Sequence, residues 1–111
     1  MALAGVTLTM SAKKTVIERI DPTDWFVGMK NPELQLMVYG KGIRDAQSVT
    51  TDYPGVAIDS LVRLDSPNYL LVYLNLKDAK PGTMKLTFQV KSEKGKVNII
   101  LINYVFKTEV F

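Results

Sequence analysis

The chain has 111 residues, 14 basic and 11 acidic, a formal charge of +3, and neither histidine nor cysteine. This length suits one domain with one modest core. The missing residues exclude disulfides, thiolate metal sites and histidine-based triads, and the small, scattered charge excess gives no basic stripe for nucleic acid.

The first twelve residues, "MALAGVTLTMSA", are apolar and rich in small side chains, and two lysines follow them. We read residues 1–12 as the remnant of a secretory signal peptide, which implies a periplasmic or secreted protein. The alternative is an N-terminal strand, because Val6, Leu8 and Met10 alternate with Thr7 and Thr9. The segment is too short to span a membrane, and no membrane partner is expected. Residues 13–111 are then the folded domain.

Taken in order, Val16 to Ile20 is a short β-branched run ended by Asp21-Pro22. Next comes "WFVGMKNPELQLMVYG", which sets large aromatics at a loop-like entrance to an alternating strand from Leu34 to Val38. Asp45 to Thr51 is a weaker, polar strand. Tyr53-Pro54-Gly55 has the chemistry of a type II turn, with proline fixing one φ and glycine accepting a positive one. Val56 to Leu64 follows, with a break expected near Asp59-Ser60.

Ser66-Pro67-Asn68 turns the chain into the run from Tyr69 to Leu76. That run is apolar at almost every position and reads as a central strand covered on both faces. Ala79-Lys80-Pro81-Gly82 marks another turn. Met84, Leu86, Phe88 and Val90 then alternate with polar residues, as in a half-buried strand. Ser92-Glu93-Lys94-Gly95 turns the chain into a return strand from Val97 to Phe106. No stretch keeps a 3.6-residue period, so no long helix is expected. Seven to eight short strands with regular turn signals predict an all-β, immunoglobulin-like sandwich of antiparallel strands.

Chemistry is sparse. Gly40-Lys41-Gly42 precedes no helix, so it is not a phosphate loop. Asp21 and Asp24 flank a proline and read as turn-capping side chains rather than paired catalytic acids or calcium ligands. No catalytic residue, metal ligand or cofactor is assigned. The candidates for contact with a carbohydrate or a partner are Trp25, Phe26, Met29 and Tyr39, with Tyr53 of lower weight. A flat ring stacks on a sugar face as readily as it packs in a core, and successive residues of an extended chain point to opposite sides. One of the Trp25-Phe26 rings is therefore expected to enter the core while the other points out.

The stretch "IDPTDWFVGMKNPELQLMVYGKGI" resembles the N-terminal domain of cyclomaltodextrinase and neopullulanase-type enzymes, α-amylase-superfamily glycoside hydrolases of the Bacteroidetes starch-utilisation type. Asp21-Pro22, Trp25, Gly28-Met29, Asn31-Pro32, Leu34-Gln35-Leu36 and Tyr39-Gly40 match the pattern. Phe26 stands where a second tryptophan is usual, and Asp21 where glutamate is usual. Pro67-Asn68-Tyr69-Leu70, Ala79-Lys80-Pro81-Gly82 and the closing "NYVFKTE" extend the likeness. The resemblance implies a non-catalytic domain that precedes a catalytic barrel in the same polypeptide. It also implies that the domain contributes to homodimer formation and shapes access for α-glucans. The alternative is a free-standing carbohydrate-binding or adhesion module.

Overall fold

The computed structural model describes residues 17–91 and 95–108. The signal-like segment lies outside them, as does most of the turn expected at residues 92–95. Among these residues eight strands form: β1 (Ile17–Asp21), β2 (Asp24–Val27), β3 (Glu33–Gly40), β4 (Ala46–Thr50), β5 (Ala57–Arg63), β6 (Tyr69–Asn75), β7 (Gly82–Lys91) and β8 (Val97–Thr108). The helical content of the described residues is one 3-10 turn, Ile43–Asp45.

The strands make two four-stranded sheets, ordered β1-β3-β6-β5 and β2-β8-β7-β4. The expected all-β sandwich is what the chain forms. With β2 set aside as an added strand, the sequence β1-β3-β6-β5 over β4-β7-β8 follows the ABED and CFG order of constant-type immunoglobulin sandwiches. One pairing departs from the antiparallel expectation: β2 runs parallel to β8, from Asp24 opposite Val105 to Val27 opposite Thr108. The chain leaves the first sheet at Asp21-Pro22 and joins the second at Asp24. Proline supplies no N–H for a ladder, so a strand can end there without an orphaned donor.

Alternation builds the core. Leu34, Leu36 and Val38 of β3 and Leu70, Val72 and Leu74 of β6 are buried from one sheet. Met84, Leu86, Phe88 and Val90 of β7 and Tyr104 and Phe106 of β8 meet them from the other. Each such side chain contributes about 1.5–3 kcal/mol by leaving water. The run in β6 is central in its sheet but is covered on one face only. Leu70, Val72 and Leu74 are buried, while Tyr69, Leu71 and Tyr73 on the outer face are half-buried. Their outer neighbours, Tyr39 opposite Tyr69 and Met37 opposite Leu71, shelter that face without burying it. The irregularity expected in β5 falls between Ile58 and Ser60.

At one end of the sandwich two turns touch. Val56 N–H donates to the Tyr53 carbonyl (3.3 Å), and Gly55 has φ +86°, which closes the expected type II turn. A Cβ on Gly55 would lie 2.2 Å from the Asp78 carbonyl oxygen, so the Tyr53–Val56 turn rests directly on the turn closed by Ala79 N–H to the Leu76 carbonyl. Tyr53 locks the pair: its hydroxyl donates to the Lys80 carbonyl (2.6 Å), and its ring lies 5.6 Å from that of Phe106. Gly55→Ala therefore meets both a backbone clash and an unfavourable φ. It is expected to lower unfolding free energy by about 2 kcal/mol or more in urea denaturation.

Candidate functional site

The aromatic stretch assigned to a loop from sequence is in fact the short strand β2, whose four residues are clasped by the end of β8. Val27 is buried, and Trp25, two positions earlier on the same face, packs against the core. Phe26 faces the other way and is half-buried. Its ring centroid lies 6.3 Å from that of Trp25, tilted by 58°. Thus one ring enters the core side and its neighbour faces outward, as the pleat requires. Gly28 then takes φ +81°, with open space around it, and Met29 after it is exposed at 37%. Phe26 and Met29 are the outward-facing members of this group.

Tyr39 does not join them. It sits at the other end of β3, on the outer face of the other sheet, against the Tyr69 ring (4.9 Å between centroids) and under the Arg19 guanidinium (5.4 Å). Further along that face Gln35 donates its side-chain N–H to the Tyr73 hydroxyl. Tyr53 is a brace between turns, as described above. The four primary candidates therefore fall into two places on the molecule.

The two aspartates act on side chains rather than on the turn. Asp21 accepts from Arg19 Nε (2.9 Å), and Asp24 pairs with Lys107 (3.2 Å). Both pairs are well exposed, so each is worth at most about 1 kcal/mol. No group of acidic side chains among the described residues is arranged to hold a metal ion.

Sequence reasoning missed Tyr104. It is 2% exposed, and its hydroxyl donates to the Pro22 carbonyl (2.7 Å), across 82 residues of chain. The bond fixes the point where the chain crosses between sheets and so places β2 against β8. Burial, then the nearby carboxylates of Asp24 and Asp21, hold the Tyr104 phenol well above its ordinary pKa. The signal was weak in sequence: one tyrosine at an inward position of an apolar strand, with its partner far away in the chain.

Geometry thus gives a two-sheet module whose one strongly perturbed titratable group, among the described residues, is a structural phenol. The class is an all-β sandwich with apolar side chains presented outward near its last strand. The sequence profile described as "Cyclomaltodextrinase, N-terminal" matches residues 19–108. The match covers β2 to β8 and all but the first residues of β1, and the chain belongs to the cyclomaltodextrinase N-terminal domain family.

Two outcomes are expected. Trp25→Ala removes a ring packed on the core and is expected to cost about 3 kcal/mol of stability, whereas Phe26→Ala costs about 1 kcal/mol, measured by urea denaturation. The second concerns pH. A phenol whose folded-state pKa is raised binds its proton more tightly in the native state. Its contribution is therefore intact below the unfolded value of about 10 and is lost as pH climbs above it. Thermal melts above about pH 10 should fall less steeply for Tyr104→Phe than for the unaltered chain, while at neutral pH the variant is less stable by about 1 kcal/mol for the lost hydrogen bond.

Proposed function

We propose that this chain is the non-catalytic N-terminal domain of a periplasmic or secreted α-glucan hydrolase acting on cyclomaltodextrin, pullulan or maltodextrin. Its catalytic barrel follows in the same polypeptide. In this reading the domain contributes to dimerisation and narrows substrate access. The observation that carries the reading is the family match across nearly the whole sandwich. The position of Phe26 and Met29 supports the narrower part. They flank the pairing of Val27 with Thr108, the end of the strand that would lead into the barrel. An outward ring beside that junction is suited to fill a gap in a neighbouring cleft by packing or stacking. No proton transfer is asked of the domain, in keeping with a sequence that has no histidine.

The test has two arms. Titration of this chain with β-cyclodextrin or maltoheptaose, followed through its single tryptophan, is expected to show no binding tighter than about 1 mM. Tighter binding would instead support a free-standing carbohydrate-binding module. In the full-length parent, Phe26→Ala with Met29→Ala is expected to weaken the contact by about 2 kcal/mol, the scale of one buried aromatic anchor. The effect would be read as a changed KM ratio between cyclic and linear substrates. Unchanged specificity and dimerisation would remove these residues from the role.

A further inference from the structure

The open edges of the sandwich differ in how they are protected. β1 has a register irregularity between Ile17 and Arg19, β4 between Ala46 and Ser48, and β5 between Ile58 and Ser60. β1 and β5 also carry charges, Glu18 and Arg19 on one and Asp59 and Arg63 on the other. Bulges and charges are the usual means of stopping a sheet edge from pairing with another chain.

The free side of β8 has none of them. β8 pairs with β7 without a register break from Lys91↔Val97 to Gly82↔Phe106. On its other side β2 covers only Val105 to Thr108, and among the described residues no strand pairs with residues 97–104. Val97 to Asn103 contains no charge, no proline and no glycine. Three of its four outward side chains are aliphatic, Val97 at 53% exposure, Ile99 at 53% and Leu101 at 58%, and the fourth is Asn103. The inward side chains, Ile100 and Ile102, pack on the core and hold the strand in place. A regular, uncharged edge with an aliphatic row at more than half exposure is a template for another strand.

We propose that this edge pairs with the same edge of a second copy of this chain, antiparallel about a two-fold axis at Ile99. The stripe is self-complementary in that register: Ile99 faces Ile99 of the second copy, and Val97 faces its Leu101, twice over. No like charges meet within residues 97–101, the paired core. The aliphatic row suits a protein partner rather than a sugar, which would call for rings and hydrogen-bonding side chains. The pairing gives a surface to the self-association included in the proposed function. It rests on that reading only for the expectation that two copies meet. It uses neither Trp25 nor Phe26.

The chain has no native cysteine, so single cysteines report the register cleanly. Directly opposed antiparallel residues have Cα atoms about 4.5–5.5 Å apart, within disulfide range. In the full 111-residue chain, Ile99→Cys is expected to crosslink to a dimer under mild oxidation. Val97→Cys alone should not crosslink, whereas Val97→Cys mixed with Leu101→Cys should. Sedimentation of the unaltered chain should show a dimer at about 100 μM, the weak affinity fitting so short an edge. Ile99→Lys should be monomeric with an unchanged melting temperature, because position 99 faces solvent in the single copy.

A monomer at that concentration overturns the proposal. So does an open-ended series of larger species, since a two-fold pairing closes. Equal crosslinking of all three single-cysteine variants overturns the register. A dimer that survives Ile99→Lys but is lost in Phe26→Ala keeps the proposed function and removes β8 as its surface. Crosslinking by Ile99→Cys that appears only after residues 1–12 are deleted would show that the chain's own N-terminal segment holds the edge, and would overturn pairing between copies.

Discussion

The hydrogen bond from the Tyr104 hydroxyl to the Pro22 carbonyl sets the plan of this molecule. Without a fixed crossover the chain would have no reason to leave the first sheet after five residues and join the second. The bond holds the crossover from inside, on a ring that is itself core. Everything peculiar to the domain follows from where β2 then lands. Trp25 is pressed onto the core, Phe26 is turned outward, and β8 is paired with β2 at one end and, among the described residues, with no strand on that side along the rest. The same geometry explains the perturbed phenol, since two carboxylates flank the crossover that the phenol supports.

The same end of the sandwich is held by a second device. There the turn at Pro54-Gly55 and the turn before Pro81 approach so closely that no side chain fits between them at Gly55. Tyr53 then bridges them from a third direction, using its ring on Phe106 and its hydroxyl on Lys80. Phe106 and Tyr104 lie edge to face at 5.7 Å. The two tyrosines are thus joined through one phenylalanine, and the inner face of β8 links both stabilising devices. The outer face of the same strand presents Val97, Ile99 and Leu101, each more than half exposed among the described residues.

Much of this was legible in the sequence, because period-two alternation is a local property. β3 and β7 could be read from Leu34-Gln35-Leu36 and Met84-Lys85-Leu86, and the type II turn from Pro54-Gly55. What could not be read depends on pairs far apart in the chain. β2 was hidden because four residues are too few to show alternation, and because its stability comes from β8, some eighty positions later. The full run of apolar residues in β6 suggested cover on both faces. Half-shelter by neighbouring tyrosines gives the same letters. In β8 a similar run means something else, a core face and an exposed face that are both aliphatic. The family likeness rested on Asp21-Pro22, Trp25, Gly28-Met29 and Asn31-Pro32, residues that bracket β2. Of the letters that carried recognition, Trp25 lies in the element that periodicity could not find, its neighbours flank that element, and Leu34-Gln35-Leu36 lie in β3, which alternation did find.

The parallel clasp of β2 and β8 has a mechanical consequence. The chain enters β2 from one end of the molecule and leaves β8 toward the other. A pull between the segment before Asp24 and the segment after Thr108 therefore acts along both strands in opposite senses. The rungs between them are loaded together, in shear, rather than peeled apart in turn. Tension transmitted through this domain meets its stiffest direction first.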